Sequence, residues 1–383
     1  MKHRILALSQ DRGSMQAIAP VVTRLCALDS MQVATCSTPQ SSPITTALGL
    51  PATPFNQTAF ATRPSDYIRE LFDQHQPDLV LMGSSPAHGK TPQTPEQFAI
   101  LEAHRRGLKS LSVLDYWGMY TERFSLNGQT VAHNLLPNRL CVLDSRCQQD
   151  LKAWGVPAHQ MAITHNPWLD KLASQALGLA VIQTPAKHPG IAVVLASQPL
   201  AHMQSVRKWP YTQYTVFENL LQAMQGWTEQ TTETWDHETN EQQPKAPIKT
   251  KLQIVPHPSE NPADWQRLLA RTKHGNVHIE LLHHQTPDLL RGADYLVTSH
   301  STLAYEALYF GTPCISLRPS ATDTMNLWIE QAGLSQLFHD AESLLHYLVE
   351  HNPATERQRI LALKEKWQAQ KLFFQMGKPH NVW

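Results

Sequence analysis

Short apolar runs recur along the chain, and each is followed by a few polar residues and then by apolar positions at helical spacing. The clearest case lies within residues 293–319. There, Tyr295–Thr298 predicts a strand buried on both faces, and the apolar positions of Leu303–Phe310 predict a helix. Gly311 stands where a helix C-cap is expected, and Cys314–Leu317 predicts the next buried strand. This order predicts one strand–helix–strand step of a parallel sheet.

The same alternation covers both halves of the chain and is interrupted by a proline-containing stretch near residues 172–189. It predicts further buried strands at Ile5–Leu8, Met31–Cys36, Leu79–Met82, Ser110–Leu114, Leu140–Leu143, Gly190–Ala196, Leu252–Val255 and Val277–Glu280. Amphipathic segments between them predict helices at residues 17–25, 66–75, 98–106, 145–154, 215–224, 324–334 and 341–349. We therefore predict an α/β protein built from two Rossmann-like domains.

The length of 383 residues exceeds what one compact core holds and fits two domains. We assign residues 1–170 to an N-terminal domain, 171–189 to a linker and 190–355 to a C-terminal domain. Residues 356–383 are expected to form a last helix that packs back on the N-terminal domain. Residues 226–251 are nearly free of aliphatic side chains, which predicts a disordered surface insertion.

Polar residues follow the predicted strands of the N-terminal domain, where ligands of open parallel sheets bind. Asp11, Arg12 and Gly13 follow the first strand, and Ser84 follows the strand that ends at Met82. The first of these turns carries one glycine, so it lacks the dinucleotide fingerprint. It is either a ligand loop or a plain connection. As a ligand loop, it would bring Arg12 or the N–H groups near Gly13 to a phosphate or an acceptor sugar.

Asp115 follows the strand at residues 110–114 and precedes two aromatic residues and the pair Glu122-Arg123. Aromatic faces cover the C–H surface of a sugar ring, and carboxylates and arginine bind its hydroxyls. The segment therefore favours a sugar-binding cleft. The alternative is a packed aromatic loop with an arginine–carboxylate pair.

Polar residues also follow the strands of the C-terminal domain, and the turn after Thr298 is rich in hydroxyl groups. A diphosphate suits such a turn, and Glu306, within one helical turn of it, could accept both hydroxyls of a ribose. Alternatively, the serines cap the helix and Glu306 is a surface charge. The candidate residues of this domain are Ser197, Gln198, His257, Glu260, Ser299, His300, Ser301, Thr302, Glu306 and Arg318.

The segment Ser301-Thr302, Glu306-Ala307, Gly311 and Pro313 resembles the C-terminal signature of the GT-B superfamily of nucleotide-sugar enzymes. This superfamily contains glycosyltransferases, UDP-N-acetylglucosamine 2-epimerases and capsule-polysaccharide transferases. The resemblance implies a GT-B fold, in which the two Rossmann-like domains face each other with a cleft between them. The resemblance implies that the residues of this segment hold the ribose and diphosphate of a nucleotide-sugar donor. It extends these roles to Ser299, His300, Ser197 and Gln198. It also implies a phosphate contact for His257, since His257-Pro258 and Glu260 resemble the donor site of the family.

Two other segments bear on the resemblance. Residues 163–170 resemble the Thr-Gly-Asn-Pro segment that crosses between GT-B domains, with His165 in place of the glycine. The 2-epimerases carry His-x-Glu-Ala-Gly-x-Arg where residues 114–120 read Leu-Asp-Tyr-Trp-Gly-Met-Tyr. This departure counts against epimerase chemistry.

Composition excludes several other classes of protein. With 32 basic and 32 acidic residues, the chain has no basic field that would attract nucleic acid. No apolar run approaches the length that spans a bilayer, although peripheral contact with a membrane stays open. The 5 cysteines lack CxxC spacing, which predicts a reducing, cytoplasmic location without a disulfide framework. His283-His284 belongs to no metal-binding pattern, so we predict no metal.

The sequence thus predicts a glycosyltransferase that moves a sugar to a glycan or lipid-linked hydroxyl acceptor in surface glycan biosynthesis. We predict no cofactor, and a UDP-linked donor over one linked to CMP or GDP. Asp115, Glu122 and Asp11, in that order, are candidates for the base that deprotonates the acceptor. Arg12, Gly13, Ser84 and Arg123 would contact acceptor or phosphate, and Arg318 or His257 would stabilise the leaving diphosphate. The alternatives are a nucleotide-sugar 2-epimerase or hydrolase, and a non-catalytic nucleotide-sugar-binding protein.

Overall fold

A computed structural model describes residues 2–87, 92–177, 190–202, 209–232, 235–236, 241–242, 250–282, 287–323 and 327–369. The chain divides into two compact units, with the boundary between Gln175 and Ala176. The boundary falls within the predicted linker, whose first residues continue a helix, Pro167–Leu177. Residues 178–189 of that linker lie outside the described residues.

The first unit is built on a seven-stranded parallel sheet in the described part of the chain. Its strands are β1 His3–Ser9, β2 Met31–Ser37, β3 Ala52–Pro54, β4 Leu79–Met82, β5 Lys109–Val113, β6 Arg139–Val142 and β7 Met161–Ile163. Their order is β3-β2-β1-β4-β5-β6-β7, the order of a Rossmann sheet extended by one strand. The order reverses between β1 and β4, which pair in parallel from Ile5 with Leu79 to Leu8 with Met82.

Helices connect these strands. They are α1 Arg12–Cys26, α2 Ser42–Ala47, α3 Gln57–Thr62, α4 Pro64–His75, α5 Pro95–Arg106, α6 Tyr120–Phe124, α7 Ser145–Ala153 and α8 Pro167–Leu177. Successive residues of β1 enter different apolar clusters, Leu6 with Phe72 and Ile5 with Ile18. Both faces of the sheet are therefore covered, as the continuous apolar run of β1 predicts.

The second unit repeats this plan with a six-stranded parallel sheet among its described residues. Its strands are β8 Ala192–Ala196, β11 Thr250–Val255, β12 Val277–Leu281, β13 Tyr295–Thr298, β14 Cys314–Leu317 and β15 Ser335–Phe338. A separate antiparallel pair is formed by β9 Trp235–Asp236 and β10 Glu241–Gln242. The order of the parallel sheet is β12-β11-β8-β13-β14-β15, again that of a Rossmann sheet. The reversal lies between β8 and β13.

The helices of the second unit also follow its strands. They are α9 Gln213–Thr232, α10 Pro262–Leu269, α11 Pro287–Gly292, α12 Leu303–Tyr309, α13 Trp328–Gln331, α14 Ala341–Glu350 and α15 Pro353–Ala369. Gly311 follows the end of α12 with φ of +71°, which confirms the turn expected there. Arg357 of α15 donates to Ala293 O at 2.7 Å and to Phe310 O at 3.0 Å, both in the second unit. The part of the predicted last helix beyond residue 369 lies outside the described residues, so its packing stays a prediction.

The disordered insertion predicted from residue 226 is wrong for its first residues, since α9 continues to Thr232. Trp227 Nε1 donates to Leu348 O at 3.1 Å, and Thr228 Oγ1 lies 2.7 Å from Thr250 Oγ1. Contacts with α14 and β11 thus stabilise as a helix a segment whose composition is typical of a loop. Apart from β9, β10 and the start of β11, the rest of the predicted insertion lies outside the described residues.

Candidate functional site

In the first unit, polar residues meet where the strand order reverses. Asp11 follows β1 and caps α1, accepting a hydrogen bond from Ser14 N at 2.7 Å. The backbone N–H of Asp11 donates to Ser85 Oγ, after β4, at 3.1 Å. The turns after β1 and β4 are therefore joined at the switch point, the place where doubly wound sheets bind ligands.

Asp115 joins this cluster from the end of β5. Arg123 Nη1 donates to Asp115 Oδ1 at 2.6 Å and to Ser84 Oγ at 2.8 Å, and it also contacts Ser84 O. Ser84 Oγ donates in turn to Val113 O at 3.1 Å. Arg123 is 4% exposed, so the ion pair is sheltered from solvent. The contact is the arginine–carboxylate pair that the alternative interpretation of this segment describes, and a sugar-binding role for the segment stays a prediction.

Gly13 allows Asp115 to approach the first turn of α1. A Cβ placed on Gly13 would lie 3.0 Å from Asp115 Oδ2 and 3.8 Å from Asp11 Oδ1. No larger residue fits there without moving a carboxylate that Arg123 holds. The sequence left the turn at Gly13 as either a ligand loop or a plain connection, and the structure shows that the glycine lies beside both carboxylates.

Glu96 belongs to this cluster, although the sequence did not indicate it. Its Oε1 accepts from Gln10 N at 2.9 Å, from Ser9 Oγ at 3.2 Å and from Ser85 Oγ at 2.5 Å. The residue stands in the first turn of α5, is 2% exposed, and is separated from Ser9 by 87 positions in the chain. Only the fold brings these residues together, so no local pattern could have revealed the contact.

Burial, together with the charge of Asp115, raises the pKa of Asp11 from 3.8 to about 6. The charge of Glu96 acts in the same direction, whereas the Ser14 N–H and the Arg123 guanidinium oppose the rise. A carboxylate with a pKa near 6 can take up and release a proton near neutral pH.

The side chains of Glu122 and Trp117 make hydrogen bonds to residues outside this network. The side chain of Glu122 accepts from Thr121 Oγ1 at 2.7 Å. Arg12 begins α1 and is half-buried. Trp117 Nε1 donates to Asp144 Oδ2 at 2.7 Å, so this aromatic residue packs within the unit.

In the second unit, the switch point is bridged by a side chain. Gln198, after β8, accepts a hydrogen bond at Oε1 from the backbone N–H of His300, after β13, at 2.7 Å. Gln198 and His300 were both predicted site residues. Their contact joins the two turns at the position where a ligand of this sheet is expected.

The ring of His300 lies in a polar and aromatic cluster. Its Nε2 is 3.1 Å from Asp323 Oδ2, and Tyr211 OH donates to the same carboxylate oxygen at 2.5 Å. The Trp209 ring lies 4.6 Å from the His300 ring, centroid to centroid. Asp323 and Tyr211 were not predicted, because they come from segments far from His300 in sequence.

Ser197 and Glu260 join the turns after β8 and β11. Ser197 Oγ donates to Glu260 Oε1 at 2.8 Å, and Trp265 Nε1 donates to the same oxygen at 3.3 Å. Burial raises the pKa of Glu260. His257 is exposed, and its Nδ1 lies 2.6 Å from Ser259 Oγ. A groove of about 980 Å³ lies beside this turn, with Tyr214, Glu260 and Asn261 among its lining residues.

The hydroxyl-rich turn after β13 has mixed roles. Ser299 Oγ donates to Leu317 O at 3.3 Å, and Ser301 Oγ accepts from Leu303 N at 3.2 Å. Thr302 is exposed, and its side chain makes no capping hydrogen bond to α12. Glu306 is only 9% exposed, which removes the alternative of a solvated surface charge.

Arg318 lies at the end of β14 and is 1% exposed. Its Nη2 donates to Glu330 Oε2 at 2.7 Å. Within the described residues, its Nε and Nη1 have no hydrogen-bond partner. A contact with donor phosphate therefore stays a prediction for this arginine.

The described residues contain no group of three or more His, Cys, Asp or Glu side chains that could hold a metal ion. His283 and His284 lie outside those residues. In the described part of the chain, no helix combines the length and apolar character needed to cross a membrane.

Comparison with known proteins gives matches to solved structures. No protein-family model and no curated protein matches the sequence. UDP-GlcNAc 2-epimerase from Neisseria meningitidis, bound to UDP-GlcNAc, is 16% identical with a TM-score of 0.57, over 96% of this chain and 100% of that chain. UDP-GlcNAc 2-epimerase from Methanocaldococcus jannaschii, in complex with UDP-GlcNAc and UDP, is 13% identical with a TM-score of 0.60, over 96% and 100%. The glycotransferase of kitacinnamycin is 14% identical with a TM-score of 0.58, over 97% of each chain.

These matches cover nearly the whole chain and show that it has the GT-B fold. The fold class expected from the sequence is therefore confirmed, and both units have the Rossmann strand order that this fold requires.

Proposed function

We propose that the protein is a nucleotide-sugar enzyme that transfers a sugar from a UDP-linked donor to a hydroxyl acceptor. The observation that carries this proposal is the polar contact at each switch point, Asp11 with Ser85 in the first unit and Gln198 with His300 in the second. Doubly wound sheets bind ligands at this position. Solved proteins of the same fold that act on or contain UDP-GlcNAc or UDP support the choice of donor.

The second unit supplies the groups that would hold the donor. Glu306 is a buried residue of α12, the helix that follows β13, and could accept the hydroxyls of a ribose. Gln198 fixes the turn that carries His300 and Ser301, whose N–H and hydroxyl groups suit a diphosphate. His257 and Arg318 are proposed to stabilise the diphosphate as it leaves.

The first unit supplies the base. Asp11 is favoured over Asp115 because Asp115 is held as an ion pair by Arg123, whereas the pKa of Asp11 is raised to about 6. The acceptor O–H gives its proton to Asp11, and the oxygen bonds to the anomeric carbon of the sugar. The bond from that carbon to the diphosphate breaks, and its electron pair leaves with the diphosphate. Asp115, held in place by Arg123, orients the acceptor.

A 2-epimerase or hydrolase acting on the same donor is the second candidate. It is supported by the full-length likeness to two UDP-GlcNAc 2-epimerases. Residues 114–120 argue against it, since they lack the His-x-Glu-Ala-Gly-x-Arg pattern. A binding protein without turnover is the third candidate.

Thermal shift with UDP, CMP, GDP, CDP and TDP tests donor binding. A ligand present at about 100 times its Kd stabilises the folded state by about 2.7 kcal/mol, so UDP is expected to raise Tm by several degrees. Glu306→Ala should abolish the shift. The exposed Glu350 on α14 provides the control, and Glu350→Ala should retain it. No shift with any nucleotide at millimolar concentration would contradict a donor site in the second unit.

Turnover of UDP-GlcNAc, followed by nuclear magnetic resonance with and without a panel of sugar and lipid-linked acceptors, separates the candidates. UDP release that depends on an acceptor supports transfer. UDP release in water alone indicates a hydrolase, and a new sugar epimer indicates an epimerase. Binding without turnover, unchanged in Asp11→Asn, leaves the binding protein.

A further inference from the structure

We infer that Glu96 is a positioning residue for Asp11: it ties the turns after β1 and β4 together and places a second buried negative charge near that carboxylate. This inference rests on the proposed role of Asp11 as the base. Glu96 itself does not touch a substrate in this scheme. It acts through the backbone of the turn and through its charge.

The geometric basis is a set of contacts from both sides of the switch point. Glu96 Oε1 accepts from Ser9 Oγ and Gln10 N after β1, and from Ser85 Oγ after β4. Ser85 N also donates to the same oxygen at 3.4 Å. One carboxylate oxygen therefore joins two turns that are separated by more than 70 residues in the chain.

The path from Glu96 to Asp11 is short. Ser85 Oγ donates to Glu96 Oε1 at 2.5 Å, and the same oxygen accepts from Asp11 N at 3.1 Å. Because the Ser85 proton is directed to Glu96, a lone pair of its oxygen faces the Asp11 N–H. Ser85 thus connects Glu96 on α5 to the backbone of Asp11, so the position of that backbone depends on the position of α5.

The helix that carries Glu96 is firmly placed. Thr94 and Gln97 form a capping box, in which Thr94 Oγ1 accepts from Gln97 N at 3.2 Å and Gln97 Oε1 accepts from Thr94 N at 3.3 Å. Gln97 Nε2 also donates to Arg123 O at 3.2 Å. The first turn of α5 is therefore connected both to Asp11 and to the arginine that holds Asp115.

Four charged groups surround or adjoin Asp11: Asp115 at the end of β5, Glu96 on α5, Arg123 on α6 and the adjacent Arg12. Asp115 and Glu96 raise the pKa of Asp11, and Arg123 lowers it. Neutralising Glu96 should therefore lower that pKa while Asp115 and Arg123 remain in place. Substitution of a residue that only supports the fold would leave the pKa of Asp11 unchanged.

The test measures the effect of Asp11→Asn on stability between pH 4 and pH 8, in the wild type and in Glu96→Gln, on the full chain. The effect develops between the unfolded and the folded pKa of Asp11, so the pH at which it is half complete lies about midway between them and falls when the folded pKa falls. It should lie at a lower pH in Glu96→Gln than in the wild type. Glu102→Gln is the control, since Glu102 is a buried carboxylate of the same helix bound to Arg105 and Arg106. It should leave the midpoint unchanged.

An equal midpoint in the wild type and in Glu96→Gln would overturn the inference. If Glu96→Gln does not fold, Glu96→Asp replaces it, because the shorter side chain withdraws the charge by one methylene, and the same downward shift is expected. An unshifted midpoint in Glu96→Asp would then overturn the inference. Once an acceptor is known, the pH profile of kcat should shift in the same direction. The stability test needs no substrate, so a failure of the proposed function would appear separately, in the nucleotide and turnover experiments.

Discussion

The backbone N–H of His300 and the side-chain oxygen of Gln198 form a 2.7 Å hydrogen bond across the switch point of the second sheet. His300 is 8% exposed, so its N–H has little access to water. Gln198 thus fixes the start of the turn that is proposed to bind the diphosphate. The contact joins β8 and β13 at their carboxyl ends, where the strand order reverses.

Gln198→Ala should lower nucleotide affinity and destabilise the second unit. It leaves a buried donor without its acceptor, which costs about 1–3 kcal/mol. Nucleotide titration by calorimetry and chemical unfolding measure the two effects. Gln253→Ala is the control, since Gln253 donates to Glu280 at 2.9 Å at a half-buried position of β11. Equal nucleotide affinity in Gln198→Ala and the wild type would show that the turn does not contact the ligand.

Asp11→Asn should stabilise the protein at pH 8 and have little effect at pH 4. The pKa of Asp11 is about 6 in the folded state and has the ordinary value of 3.8 in the unfolded chain. Asp11 therefore ionises more readily in the unfolded chain, and this difference favours unfolding as the pH rises. The penalty grows as pH rises from about 4 and is complete above about 6, with an upper limit of about 3 kcal/mol. Asparagine carries no charge and can still cap α1. Denaturant titrations at pH 4, 6 and 8 measure the difference.

Asp340→Asn provides a control of opposite sign. Asp340 caps α14 and accepts from Ser343 N at 2.7 Å, which lowers its pKa. Its contribution to stability is present above the unfolded pKa and is lost as pH falls through the folded value. Asp340→Asn should therefore destabilise at neutral pH, with the effect shrinking in acid. The same sign for both variants would contradict the environment described for Asp11.

The sequence predicted the strands that are apolar throughout, and missed those whose stability depends on neighbours. β4 and β13 have the predicted bounds, because Leu79–Met82 and Tyr295–Thr298 are continuous apolar runs. β3, β7 and β15 were not predicted, since they are three or four residues long and partly exposed. They lie at or next to the sheet edges, where a strand needs fewer apolar residues.

Among the site residues, too, the sequence identified those that local patterns mark and missed those that only the fold brings together. Asp11 and Asp115 could be found because each comes two positions after the end of an apolar strand, and the ends of parallel strands share one edge. Glu96 could not, since it lies within a helix and nothing in its local sequence marks it. The order of bases that we propose differs from the order predicted from the sequence, because the fold pairs Asp115 with Arg123.

Arg123→Met should destabilise the first unit by about 3–5 kcal/mol, because it leaves the carboxylate of Asp115, whose side chain is 11% exposed, without its cation. Asp115→Asn added to this variant should recover most of the loss, since no uncompensated charge then remains. Hydrogen exchange of β5 amides measures the stability of this unit separately. If the double variant is no more stable than Arg123→Met alone, the guanidinium contributes through packing and not through its charge.

Gly13→Ala should reduce activity far more than it reduces stability. Alanine favours α1 over glycine by up to about 1 kcal/mol, which offsets part of the steric cost. Its Cβ would lie 3.0 Å from Asp115 Oδ2, and Arg123 prevents that carboxylate from moving freely. The methyl group would therefore displace Asp115 from Asp11 or occupy the space that the acceptor needs. Gly292→Ala is the control, because no atom lies within 4 Å of a Cβ at that helical position. Turnover and unfolding should both be measured, and full activity in Gly13→Ala would place the reacting hydroxyl elsewhere than beside these two carboxylates.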